Sequence, residues 1–226
     1  MYSELKYWYL RNHELFTTLN TNQIKQLCVI VGFKKAKKGE VIYFSSSDLP
    51  RIFFLKTGNI KIVSIDEDGN ETIKDIIQHG DLFGELDLVN DVNSNERAVA
   101  LTDEVSICSF LMSDFENVLF QNPGLALSYT KFVGSKMKQI KNSYSNLVSK
   151  DARTRLVSFL KDWAKKEGIK KDNQYTVKNY LNQTDIAQII CTSRQTATIL
   201  LNDLEHEGLI HYNRKELIIE DISKFN

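Results

Sequence analysis

Residues 181–221 read LNQTDIAQIICTSRQTATILLNDLEHEGLIHYNRKELIIED, and this stretch decides the fold. Thr184 is placed to cap a helix over 185–190, where Ile186, Ile189 and Ile190 fall at helical spacing. The pattern breaks at Cys191-Thr192. Thr192 or Ser193 can then cap a second helix, in which Ala197, Leu200, Leu201 and Leu204 recur every three or four residues. Gly208 suits the position just past its end. Leu209–Tyr212, a polar turn at Asn213-Arg214-Lys215 and Leu217–Glu220 then predict a two-stranded ribbon. Helix, tight turn, helix and ribbon make a winged helix-turn-helix. The outward face of the second helix carries Ser193, Arg194, Gln195 and Thr198, side chains able to reach base edges in a major groove. With Thr184 and Thr192 near the two helix starts, these are the candidate DNA-binding residues. A plain helical hairpin with Arg194 as a solvated charge would satisfy the helical pattern alone; the ribbon favours DNA reading.

The chain around this stretch has 226 residues, enough for two modest domains with separate cores. Its 29 basic and 29 acidic residues cancel, so the whole-chain charge carries no nucleic-acid signature. The charge is local instead. Residues 153–178 hold eight Lys or Arg against three acids, a run suited to phosphate contacts or to a solvated helix face.

Cys28, Cys108 and Cys191 lie far apart, and the four histidines are scattered. No spacing suits zinc or an iron–sulfur cluster, so no metal site is expected and the cysteines read as buried free thiols. No signal-peptide layout or membrane-length apolar run is present, which predicts a cytoplasmic protein with no membrane partner. Neither a nucleophile–base–orienter set nor a phosphate loop is found, so no catalytic residues are assigned and an enzyme is not expected.

Residues 1–27 read as amphipathic helix, with Asn20 or Thr21 capping a segment that contains Ile24 and Leu27. From residue 29 to 111 the pattern turns to short strands at 40–44, 51–56, 59–65, 71–77, 97–101 and 105–111, separated by turn signals such as Asp68-Gly69. Many short, evenly spaced strands predict a β-sandwich or β-roll. Ser113 is placed to cap a helix ending at Gln121, and Pro123 opens a long helix to about Lys150. Tyr129, Val133, Met137 or Lys136, Ile140, Tyr144 and Leu147 approximate a three-four repeat, the seam of a helix pair across a two-fold axis. The expected class is therefore α+β. Residues 1–122 form N-terminal helices and a β-roll sensor, 123–150 a central dimerisation helix, and 151–226 the winged helix-turn-helix.

Residues 80–98 read GDLFGELDLVNDVNSNERA. Gly84 permits a tight backbone at Gly84-Glu85-Leu86, where consecutive N–H groups can converge on an anion. Glu85 suits a sugar hydroxyl, and Arg97 can neutralise a phosphate. A structural Glu85–Arg97 salt bridge is the equal alternative.

KGEVIY (38–43), GDLFGELDL (80–88), NER (95–97), DARTRL (151–156) and TDIAQIICTSRQTATILLNDLE (184–205) occur in this order over nearly the whole chain. Together they make it resemble the Crp/Fnr family of transcription regulators. The resemblance implies a homodimer on a two-fold symmetric double-stranded DNA site, a signal received in the β-roll, and contact with RNA polymerase. It aligns Glu85 and Arg97 with the residues that hold the ribose and phosphate of cyclic AMP, and places Gly84, Leu86, Ala98, Ile140 and Lys141 around the effector. Ala98 stands where a hydroxyl is usual, Ile140 and Lys141 stand for Thr and Ser, and Asp87 adds a negative charge. These departures argue against cyclic AMP as the effector and single out no cofactor in its place. In the reading head, Ser193 and Arg194 follow the family, whereas Gln195 and Ile199 stand for Glu and Arg. A DNA half-site distinct from that of the cyclic-AMP receptor protein is therefore expected. A cyclic-nucleotide-sensing module with secondary DNA binding is the alternative.

Overall fold

A computed structural model describes residues 2–30, 32–42, 50–84 and 96–225. The chain divides into two compact units, residues 1–138 and 139–226.

The first unit opens with α1 (Tyr2–Asn12), a 3₁₀ turn (Glu14–Phe16) and α2 (Thr21–Ile30). Asn20 and Gln23 cap α2 reciprocally: each side chain accepts from the other residue's backbone N–H. Eight strands follow: β1 (Gly32–Ala36), β2 (Val41–Ile42), β3 (Arg51–Thr57), β4 (Ile60–Ile65), β5 (Glu71–Ile77), β6 (Leu82–Gly84), β7 (Glu96–Ala100) and β8 (Val105–Leu111). They form two antiparallel four-stranded sheets, ordered β1-β8-β3-β6 and β2-β7-β4-β5.

Alternation along β3 explains how the layers stack. Phe53 and Leu55 enter the core shared with Ile42, Ile60, Ile62 and Ala98 of the second sheet. Ile52 and Phe54 point the opposite way, into a core built with Leu10, Phe16, Ile24 and Leu27 of the helices. The first sheet is thus buried on both faces, and β3 reads as an unbroken apolar run rather than an alternating one. Each such core side chain contributes about 1.5–3 kcal/mol.

Two further helices follow, α3 (Met112–Gln121) and α4 (Pro123–Ser149). Ser113 does not cap α3. The residue before the helix is Leu111, which has no side-chain hydrogen bond to give. The 27 residues of α4 run about 40 Å. Its first turns belong to the first unit: Leu125 is fully buried, and the Tyr129 ring packs edge-on against Phe115 at 5.3 Å. Tyr129 is therefore half-buried against the core of the first unit. Residues 136 and 137 also differ in environment. Lys136 turns inward to an ion pair with Asp81 at 2.8 Å, while Met137 is 56% exposed.

The second unit contains α5 (Ala152–Glu167), β9 (Ile169–Lys171), β10 (Gln174–Lys178), α6 (Gln183–Ile189), α7 (Arg194–His206), β11 (Ile210–Tyr212) and β12 (Glu216–Ile219). The sheet order is β11-β12-β10-β9, so the ribbon read from the sequence gains two earlier strands. Leu156, Leu160, Ile186, Ala197, Leu201 and Leu204 are buried along one face each of α5, α6 and α7.

Candidate nucleic-acid interface

Local chemistry fixes both helices of the reading head. Asn182, not Thr184, caps α6: its side chain accepts from Asp185 N at 2.9 Å, and the Asp185 carboxylate accepts from Asn182 N at 3.0 Å. This reciprocal box buries Asp185 without leaving it unpaired, and moves the helix start two residues ahead of the sequence expectation. Thr184 is left exposed in the first turn. Ser193 caps α7, its Oγ accepting from Thr196 N at 3.0 Å.

Between the helices Cys191 adopts φ +52, a left-handed conformation that costs a non-glycine residue about 1–2 kcal/mol. The Arg155 guanidinium restrains this turn. Its Nε donates to Ile190 O at 2.8 Å, and its terminal nitrogens donate to Cys191 O at 3.2 Å and to Lys150 O, just beyond α4, at 2.6 Å. Arg153 donates to Glu207 at 2.6 Å. Arg153 and Arg155 of the 153–178 run therefore have structural partners. Cys191 is exposed rather than buried; Cys108 is buried and Cys28 half-buried.

The exposed face of α7 carries Arg194, Gln195 and Ile199. Among the described residues none offers the Arg194 or Gln195 side chain a hydrogen bond or ion pair. Thr198 differs: its hydroxyl lies 2.9 Å from both Arg194 O and the Gln183 side-chain oxygen, so its proton is used within the protein. Thr192 is half-buried in the turn, donating its N–H to Ala187 O at 2.9 Å.

The sequence did not single out the wing tip. Arg214 and Lys215 are exposed on a turn in which Asn213 Oδ1 accepts from Lys215 N and Glu216 N at 2.8 and 3.0 Å. Asn179 ties the turn down, donating from its side chain to Asn213 O at 2.7 Å and from its backbone to Lys215 O at 2.8 Å. Two cations on so constrained a turn lose little freedom on meeting a phosphate.

Of the effector candidates, Glu85 and Leu86 lie outside the described residues, as does Asp87. Gly84 sits at φ +109, where a Cβ would come within 2.7 Å of Arg51 O and the Phe53 ring. Strand geometry alone therefore requires glycine there. Arg97 and Ala98 are consecutive on β7, the first exposed, the second fully buried between the sheets. Ala98 faces an apolar interior in which Phe53 and Phe83 stack with centroids 5.2 Å apart. Ile140 (66% exposed) and Lys141 stand on α4 within the second unit.

The turn before Gly84 is held from two sides. His13 Nε2 meets Gly80 O at 3.1 Å while its Nδ1 accepts from Leu15 N at 3.2 Å. Asp81 accepts from Gln78 N at 2.9 Å and from Lys136 of α4 at 2.8 Å. Among the described residues no His, Cys, Asp and Glu cluster is placed to hold a metal ion, and no helix is long and apolar enough to cross a membrane.

Comparison with known proteins covers both units. The cyclic nucleotide-binding domain family matches residues 33–122, and the Crp-like helix-turn-helix domain family matches residues 154–226. The global nitrogen regulator of Nostoc sp. is 28% identical over 185 residues, spanning 81% of this chain and 82% of that protein. The CRP-like cAMP-activated global transcriptional regulator of Mycobacterium tuberculosis is 24% identical over 184 residues, with 81% and 82% covered. The structure of a CooA mutant from Carboxydothermus hydrogenoformans superimposes with a TM-score of 0.71 at 25% identity, covering 88% of each chain.

Proposed function

Because this chain belongs to the Crp/Fnr family of transcription regulators, we propose that it acts as a homodimer that inserts α7 of each protomer into the major groove of a two-fold symmetric DNA site. The observation carrying this reading is the pair Arg194 and Gln195: exposed on the first turn of α7, with side chains that find no partner among the described residues, they offer polar groups to a ligand. Arg suits guanine and Gln suits adenine, each through two hydrogen bonds to a base edge. Thr184, Thr192, Ser193 and Thr198 complete the proposed interface. Thr198 serves chiefly to fasten α7 to Gln183, and Ser193 to cap the helix. Arg214 and Lys215 of the wing take phosphates.

In this reading residues 1–122 carry the sensor, 123–150 the dimerisation helix and 151–226 the DNA-reading domain. Met137, Ile140, Tyr144, Leu147 and Val148 form an exposed apolar stripe on α4, the surface a second copy would cover. RNA polymerase is the proposed further partner. The β-roll takes a small effector. The buried Ala98 and the stacked Phe53–Phe83 pair favour one other than cyclic AMP, because the inward strand face offers apolar surface where a phosphate needs donors.

Selection from random duplex DNA tests the reading. A recovered palindromic site with half-sites about 34 Å apart supports it; failure to enrich any sequence overturns it.

A further inference from the structure

Ile199 lies four residues after Gln195, one helical turn further along the same face of α7, and is 52% exposed. Its neighbours on that face, Gln195, Asn202 and His206, are polar and exposed. Single exposed apolar side chains are common on protein surfaces. This one differs by position. Any duplex that meets Gln195 through the major groove also covers Ile199.

Chemistry then limits what can lie opposite. A β-branched hydrocarbon offers no hydrogen bond. Set against a guanine, a cytosine or an adenine edge, it would strip water from donors and acceptors and leave them unpaired. Thymine alone presents an apolar group in the major groove, its C5-methyl.

We propose that Ile199 is a specificity-determining residue that reads a thymine methyl, so that each half-site carries a T·A or A·T pair on the Ile199 side of the base pair read by Gln195. The proposal rests on the DNA-binding role of α7 given above. The methyl packs on the Ile199 side chain without a hydrogen bond, and the pair is selected largely by exclusion of the others.

The test uses the full-length protein and the selected operator. Each thymine of one half-site is replaced in turn by deoxyuridine, which differs only by the missing methyl, and affinity is measured at fixed salt. One position should lose about fourfold with the wild-type protein, the loss associated with one methyl-sized group, and nothing with Ile199→Ala. Ile199→Arg should redirect the same position towards guanine. Circular dichroism of each variant establishes that it is folded. Specific operator binding with a flat deoxyuridine scan, or a loss that Ile199→Ala leaves intact, overturns the assignment of Ile199 while the role of α7 stands. Absence of any sequence preference overturns both.

Discussion

Arg155 and Ile190, thirty-five positions apart in sequence, are joined by a 2.8 Å hydrogen bond from the guanidinium Nε to the carbonyl that closes α6. The same guanidinium reaches Cys191 O and Lys150 O, so one planar fork spans the end of α4, the start of α5 and the turn of the reading head. Arg155→Lys keeps the charge but cannot address three carbonyls in one plane. It should destabilise the second unit by about 1.5–3 kcal/mol, read by chemical denaturation, and weaken operator binding. Unchanged stability would mean that the turn stands without the clamp.

The two caps give an internal control. Asn182→Ala removes the acceptor for Asp185 N and should cost about 1 kcal/mol. Thr184→Ala should stay within about 0.5 kcal/mol. The reverse order in urea denaturation would restore Thr184 as the cap.

Gly84→Ala should be among the most damaging small substitutions in the first unit. The added Cβ meets strand backbone at 2.7 Å, in a conformation, φ +109, that side chains rarely adopt. A loss of about 1–3 kcal/mol or more is expected in the thermal unfolding of the first unit, whether or not an effector is present. An unaltered transition midpoint would show that β6 can move away from β3.

His13 gives the fold a pH dependence of known sign. Burial, the largest influence, holds its imidazole below the ordinary histidine pKa. Protonating Nδ1 would also displace the N–H of Leu15. In the unfolded chain the ring takes up a proton as pH falls through about 6.5, whereas the folded ring resists until lower pH. The stabilisation is therefore complete above that value and is lost as pH falls from there through the folded-state pKa. Between pH 7 and 5 the wild-type melting temperature should fall more steeply than that of His13→Gln. Parallel slopes would exclude His13 as the source.

Strands rich in β-branched and aromatic residues were legible in the sequence: β5, with three isoleucines, and β8 have the predicted ends. β1 (GFKKA) and β9 (IKK) were not, because lysines dominate them. Among the described strands both lie at a sheet edge, pairing with β8 and β10 respectively, so their lysines can point to solvent. The Thr184 and Ser113 caps went astray, while those at Ser193 and Asn20 form, for a related reason. Asn182, Thr184 and Ser113 are all acceptable capping residues, and only backbone direction decides among them. At the site, the sequence identified Arg194 and Gln195 by type. It could not distinguish Arg155, whose partners are carbonyls, from a cation waiting for phosphate. Nor could it foresee that Thr198 would spend its proton inside the protein, since Gln183 is brought to it only by the crossing of α6 and α7.

The decisive quantity is the affinity of wild-type and Arg194→Ala protein for the selected operator and for a scrambled duplex, at one salt concentration. Loss of about 1–3 kcal/mol on the operator, with scrambled DNA affected far less, is the expected result. Equal effects on both duplexes, or none on either, would contradict the placement of α7 in the major groove.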